Sequence, residues 1–89
     1  MAPDVAQVRS AGGTTLEIGF ADGTWRRVDI ATLVRPEGVF ADLHRPGFIA
    51  SARVNRDTGT IEWDSGGDLS PEVLYASGIL LQRGKTTAA

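Results

Sequence analysis

The sequence predicts an α+β domain: a small antiparallel sheet of about five strands, formed by two hairpins and an N-terminal strand, with one or two short helices. Three observations support this fold class. They are segments of alternating apolar and polar residues, glycine-containing turns between them, and a serine–proline helix start near the C-terminus. The length of 89 residues is typical of one domain. We expect a single domain over residues 1–78 and a C-terminal extension over residues 79–89.

The first predicted elements are a short strand over residues 4–10 and a hairpin over residues 14–30. A two-residue loop at Asp22-Gly23 would place Arg27 and Asp29 on the apolar face of this hairpin. A three-residue loop, with Gly23 in a left-handed bulge, instead keeps the apolar side chains together. These are Leu16, Ile18, Phe20, Val28 and Ile30. Because a shift of one residue moves every side chain to the other face, we predict the three-residue loop.

The predicted register has consequences for both faces of the hairpin. It places Arg26 opposite Ile18, at the rim of the apolar face. On the other face it places Glu17 beside Arg27, and Trp25 opposite Gly19. An aromatic ring over a strand glycine stabilises a sheet, so this second face is predicted to be polar with one tryptophan.

The middle of the chain is broken by Pro36 and Gly38, and we expect only a turn of helix over residues 39–43. A second hairpin is predicted over residues 50–64, with a four-residue loop at 56–59. This loop length would pair Val54 with Ile61 and Ala52 with Trp63 on the inside, and Arg53 with Glu62 on the outside.

A helix is predicted to begin after Ser70, with Pro71 at its first position, and to end at Gly78. Its packing face would consist of Val73, Leu74 and Tyr75. The run Ile79-Leu80-Leu81 that follows is either a strap over the core or a dimer contact. Residues 82–89 are predicted to be a frayed tail.

The composition limits the classes of function. The chain has no cysteine, which excludes disulfides, thiolate zinc sites and a cysteine nucleophile. No signal peptide and no apolar stretch of about 18 residues is present, so we expect a cytoplasmic protein with no membrane partner. The net charge of −2, with acids and bases interspersed, argues against nucleic-acid binding by this domain alone.

Few residues could carry chemistry. The one histidine, His44, lies in a predicted loop without a recognisable nucleophile or orienting group. The densest group of carboxylates, Asp57, Glu62, Asp64 and Asp68, lacks the spacing of a calcium loop. We therefore predict no catalytic residue, no metal site and no cofactor, and expect that the chain is not an enzyme.

Three blocks of sequence resemble a bacterial family of small domains catalogued as domain-of-unknown-function family 2442. The blocks are Phe20-Ala21-Asp22-Gly23 with Val28-Asp29-Ile30, then Gly38-Val39-Phe40-Ala41-Asp42-Leu43 with Phe48, and finally Gly59-Thr60-Ile61-Glu62-Trp63 through Asp68-Leu69-Ser70-Pro71-Glu72-Val73-Leu74-Tyr75. The resemblance implies an α+β domain with an antiparallel sheet and no established activity. Such domains occur alone, joined to a helix-turn-helix domain, or encoded beside a second small protein in pairs that look like toxin–antitoxin modules.

Together these observations favour a non-enzymatic protein-interaction module, for which the resemblance implies the role of an antitoxin-like or regulatory partner of a small protein. The expected binding partner is another small protein or a second copy of the chain. The residues expected to make contact are Trp25 and Arg27, followed by Ile79, Leu80 and Leu81. The sequence leaves two arrangements open: either Trp25 is exposed and available for contact, or the C-terminal helix covers it. The alternative function is a ligand-sensing or nucleic-acid-associated accessory domain.

Overall fold

The computed structural model describes residues 2–81. Within this range the chain forms two antiparallel sheets, one α-helix and three single turns of 3-10 helix. The elements are β1 (Val5–Gly12), β2 (Thr15–Phe20), β3 (Trp25–Asp29), β4 (Arg53–Asn55), β5 (Thr60–Glu62), β6 (Asp68–Leu69), α1 (Pro71–Ser77) and β7 (Ile79–Leu80). The predicted α+β class is confirmed, and the two strands beyond the expected five, β6 and β7, have two residues each.

The first sheet has the strand order β1-β2-β3-β7. Its central hairpin has the predicted register, with Leu16 opposite Val28 and Gly19 opposite Trp25. The Phe20 amide donates to the carbonyl of Thr24 at 2.8 Å, and Gly23 has φ +88°, so the three-residue loop is confirmed. Glycine adopts this left-handed conformation without the steric cost that a side chain would add.

Strand β1 extends further than the sequence pattern indicated. It continues through Ala11 to Gly12, and the turn lies at Gly13 and Thr14. Its pairing with β2 shifts register twice, between Val5 and Gln7 and between Ser10 and Gly12. Each β-bulge inserts one unpaired residue, which is why apolar residues do not alternate regularly along this strand.

The second sheet has the order β4-β5-β6. The predicted pairs of Arg53 with Glu62 and Val54 with Ile61 are confirmed. The hairpin is shorter than expected, because the 3-10 turn Ile49–Ser51 replaces the start of its first strand. This turn is held by the indole N–H of Trp63, which donates to the carbonyl of Ile49 at 3.2 Å.

The core lies where the inner faces of both sheets meet the central turns and α1. Within this core, Trp63 contacts two phenylalanines. Its ring centroid lies 5.2 Å from that of Phe40 and 6.3 Å from that of Phe48. The predicted helical turn in the middle of the chain is the 3-10 turn Gly38–Phe40. The remaining buried apolar residues are Val5, Leu16, Ile18, Phe20, Val28, Ile30, Leu43, Ile49, Ile61 and Leu74.

Helix α1 begins as predicted, with the Ser70 hydroxyl accepting a hydrogen bond from the Val73 amide at 3.3 Å. Leu74 is fully buried and Tyr75 packs edge-on against Phe20, with 4.8 Å between ring centroids. The prediction that Val73 packs with them is wrong, because its exposed fraction is 41%. The face of this helix that packs on the core consists of Pro71, Leu74 and Tyr75, at the spacing i, i+3 and i+4, and Val73 lies outside that stripe.

After Gly78 the chain pairs with β3 and forms β7 at the edge of the first sheet. The first two residues of the apolar run are therefore in an edge strand and not in a strap over the core. The expected frayed tail, residues 82–89, lies outside the described residues. Among residues 2–81, no helix has the length and apolar character needed to cross a membrane.

Candidate functional site

The face of the first sheet that points away from the core, here called the outer face, carries the residues predicted from the hairpin register. Because side chains alternate along a strand, the register that buries Leu16 and Ile18 places Glu17 and Gly19 on the outer face. Their partners on β3, Arg27 and Trp25, lie on the same face.

Trp25 lies flat over Gly19. A Cβ atom added to Gly19 would lie 2.9 Å from Cζ2 of the indole, a distance too short for any side chain. From β1, the guanidinium carbon of Arg9 lies 4.2 Å from the ring centroid of Trp25, within range of a cation–π interaction. Trp25 as a whole is partly buried.

Helix α1 does not cover Trp25. It packs on the opposite face of the sheet, where Tyr75 contacts Phe20 and where Gly78 approaches the Cβ atom of Arg26. Of the two arrangements that the sequence left open, the covered tryptophan is therefore wrong for the part of the chain that the structure describes. On the outer face, the side chains of Arg9 and Arg27 are 61% and 53% exposed.

Glu17 joins two arginines across three strands. Its Oε1 atom accepts from Nε of Arg9 at 2.8 Å, and its Oε2 atom accepts from Nη2 of Arg27 at 3.1 Å. The hydrogen bond from Arg9, followed by that from Arg27, lowers the pKa of Glu17 below its ordinary value. One carboxylate thus serves two exposed guanidinium groups, which leaves a net charge of about +1 on this cluster.

The edge strand β7 brings the rest of the predicted contact residues beside this cluster. Ile79 pairs with Arg27, Leu80 pairs with Arg26, and the Leu81 amide donates to the carbonyl of Trp25 at 2.8 Å. Directly paired residues share a face, so Ile79 lies on the outer face and Leu80 on the opposite one. The predicted set therefore meets at one edge of the sheet without sharing a single face.

Two parts of this arrangement were not found from the sequence. Arg9 was missed because the bulges of β1 disguise which of its residues face outward. Arg26 was placed at the rim of the apolar face, but its guanidinium also stacks on the ring of Tyr75 at 3.8 Å. The Tyr75 hydroxyl donates in turn to Asp22 at 2.7 Å, and Nε of Arg26 is buried without a hydrogen-bond partner. No local sequence signal connects these positions, which are up to 53 residues apart.

The other candidate residues have structural surroundings. Glu62 accepts from Arg53 at 3.4 Å and from Asn55 at 3.0 Å, and Asp64 pairs with the same arginine at 2.6 Å. In residues 2–81, no three His, Asp or Glu side chains form a group that could hold a metal ion. His44 is exposed in a loop beside an open groove of about 440 Å³.

The fold and this site define a small α+β domain that carries an arginine–tryptophan cluster beside an apolar edge strand. Comparison with known families identifies it more closely: residues 5–79 match the family described as protein of unknown function (DUF2442), and the chain belongs to this family. The matched residues run from the start of β1 to the first residue of β7. No curated protein and no solved structure shows significant similarity to the chain.

Proposed function

We propose that this chain is a non-enzymatic protein-interaction module that binds its partner at the junction of the outer face and β7. The observation that carries the proposal is the exposure of β7 beside the arginine–tryptophan cluster. The exposed fractions of Ile79 and Leu80 are 71% and 56%, and both side chains adjoin arginines of β3. Large apolar side chains exposed at a sheet edge are typical of surfaces that bind another chain.

The chemistry of the neighbouring residues suits a protein interface. Tryptophan and arginine are the side chains that most often dominate interface energies. Complete burial of an aliphatic side chain such as Ile79 contributes about 1.5–3 kcal/mol. Because Glu17 already holds Arg9 and Arg27 in place, their ordering on binding would cost less than that of free side chains.

The proposed role is that of a regulatory or antitoxin-like partner of another small protein, in the cytoplasm of a bacterium. The basis is the resemblance described above, in which related domains are encoded beside a second small protein. That basis is an analogy at the level of the family, and the proposed surface rests independently on the exposed residues.

The experiment is a pull-down of the tagged chain from the source cells after nuclease treatment, followed by titration of the purified partner. We expect one stoichiometric protein, whose affinity falls about tenfold or more with Trp25→Ala or Arg27→Ala. Arg56→Ala is the matched control, because Arg56 is an exposed arginine in the turn between β4 and β5. Equal affinity of all three variants would show that the partner binds elsewhere.

A second candidate function is nucleic-acid binding, which the position of Trp25 between arginines favours. Aromatic rings and arginines together bind single strands by stacking and charge. The cluster is small, however, and the chain carries a net charge of −2. Binding of an oligonucleotide that weakens steeply with added salt would support this candidate over the first.

A further inference from the structure

The backbone of β7 has one side without a strand partner among the described residues. The Leu81 amide donates to Trp25 of β3, and Ile79 pairs with Arg27. In an antiparallel strand the backbone groups of successive residues point alternately to the two sides. Leu80 lies between these two residues, so its N–H and C=O groups point away from β3. Within residues 2–81, β7 is the last strand of its sheet, and no strand pairs with it on that side.

The surroundings of this edge are apolar and basic. Ile79 and Leu80 are exposed on opposite faces of the sheet, and each lies beside an arginine of β3 on its own face. On the outer face Arg27 shares its carboxylate, Glu17, with Arg9. On the opposite face the guanidinium of Arg26 lies against the ring of Tyr75, and its buried Nε atom has no hydrogen-bond partner. A chain that pairs with β7 therefore meets an exposed arginine, Arg27, on the outer face and a half-buried one, Arg26, on the opposite face.

We infer that the occupant of this edge is an extended acidic segment of another protein, which adds to β7 as a further strand of the first sheet. The inference deepens the proposed function and rests on it. Main-chain hydrogen bonds to Leu80 supply the alignment, as in other complexes formed by strand addition. Apolar side chains of the segment pack on Ile79 and Leu80, and its Asp or Glu side chains face Arg26 and Arg27. Charge complementarity selects this segment over a neutral or basic one.

The test begins with selection of peptides from a display library against the full chain. The peptides are about eight residues long, slightly longer than an ordinary strand, and are randomised at every position. We expect the selected peptides to contain apolar residues together with Asp or Glu, and to bind more weakly as salt is added. Selected peptides that lack acidic residues, or a selection that gives no specific binder, would overturn the inference.

The decisive variant is Leu80→Pro, with Leu80→Ala as its control. Proline removes the N–H group that points away from β3, and edge strands tolerate proline at such positions. Alanine removes the side chain but keeps that N–H group. For strand addition we expect Leu80→Pro to weaken peptide binding at least about tenfold, and more than Leu80→Ala does. Equal effects of the two variants would overturn strand addition.

A direct measurement guards against a folding defect in the proline variant. In the unaltered chain, the Leu80 amide should become protected from hydrogen exchange when a selected peptide is bound. An amide that exchanges equally fast in the free and bound chain would contradict the inference. Arg27→Gln should weaken peptide binding about fivefold at low salt and less at high salt.

The remaining outcomes separate this inference from the proposed function. A cellular partner whose binding depends on Trp25 but not on the Leu80 N–H group would preserve the proposed function and overturn strand addition. A chain that forms a dimer, and becomes a monomer with Leu80→Pro, would make a second copy the occupant and overturn the acidic segment. Preferential binding of a single-stranded oligothymidine over every selected peptide would overturn both.

Discussion

At the scale of single residues, the outer face is organised by two side chains that each make contacts across neighbouring strands. Trp25 covers the space that Gly19 leaves, and Glu17 holds an arginine on each side. Both arrangements depend on a register in which Gly19 and Trp25 are directly opposite. The glycine is required here by the close approach of the indole and not by its backbone conformation.

The contact between Gly19 and Trp25 can be measured with a double-mutant cycle. Gly19→Ala should lower the free energy of unfolding by about 1 kcal/mol, because the new methyl group displaces the indole. In the Trp25→Ala background the same substitution should be neutral or slightly stabilising, since alanine removes the entropic cost of a strand glycine. Urea denaturation of the four proteins measures the coupling. Additive effects would show that the ring does not lie over Gly19.

The Glu17 carboxylate predicts a pH dependence of stability. Its pKa is lowered in the folded chain by Arg9 and Arg27, so folding favours the ionised form. A lowered pKa stabilises the folded state above the ordinary carboxyl range and ceases to do so as the pH falls through the folded pKa. Glu17→Gln should therefore destabilise the chain at pH 7. It should have less effect at pH 3, which is below the ordinary glutamate pKa of about 4.3.

Denaturant titrations of the unaltered chain and Glu17→Gln at both pH values check this prediction. Glu37→Gln is a suitable control, because Glu37 is exposed, makes no side-chain cap hydrogen bond and forms no ion pair in the described residues. A difference in stability between Glu17→Gln and the unaltered chain that stays constant from pH 7 to pH 3 would contradict the assigned cause.

At the scale of elements, the two sheets meet at a glycine turn. The Val5 amide at the start of β1 donates to the carbonyl of Gly59 at 2.9 Å, and the side chain of Asp4 packs against the Gly59 backbone. Gly59 also has φ +71°, a backbone conformation that residues with a side chain rarely adopt. The turn between β4 and β5 is therefore both a local turn and the place where the first strand meets the second sheet.

This junction predicts different costs for alanine at two glycines with similar backbone conformations. Gly13→Ala should cost about 1 kcal/mol, because φ is +57° but the space around it is open. Gly59→Ala should cost at least about 2 kcal/mol, because the methyl group would also collide with Asp4. Thermal or urea unfolding compares the two variants. Equal costs would show that Asp4 does not pack against Gly59.

At the scale of the whole molecule, one core is shared by both sheets, and the two tryptophans have different roles in it. Trp63 is buried at the centre, in contact with Phe40 and Phe48 and hydrogen-bonded to Ile49. Trp25 lies on the outer face and is only partly buried. The free energy of unfolding of a domain is only about 5–15 kcal/mol, so a difference of about one or two kcal/mol between the two positions is a measurable fraction of the total.

Trp63→Ala should destabilise the chain by about 3–5 kcal/mol, the cost of an emptied aromatic site in a core. Trp25→Ala should cost about 1–2 kcal/mol, because it loses partial burial and the contacts with Arg9 and Gly19. Equilibrium unfolding by circular dichroism measures both. If Trp25→Ala proved as damaging as Trp63→Ala, Trp25 would be a core residue and its assignment to an interaction surface would fail.

Much of the fold was predictable because its signals are local. Alternation along β2 and β3, the glycine at the end of their loop and the burial of five apolar residues together determine one register, and with it the positions of Trp25 and Arg27. The capped start of α1 and the pairing of Arg53 with Glu62 also follow from residues close in sequence. These features need no information from the rest of the chain, since short-range sterics and side-chain patterning decide them.

The tertiary structure decided what depends on residues distant in sequence. The bulges of β1 place Arg9 over Trp25. Ile79 and Leu80 pair with the backbone of β3 and form an edge strand. The indole of Trp63 donates a hydrogen bond to the 3-10 turn that lies where the start of β4 was expected. In each case the competing local conformations are close in energy, and a contact made only in the folded chain selects one of them. The sequence by itself thus determined the hairpins and their faces, whereas packing determined which residues meet at the edge of the first sheet.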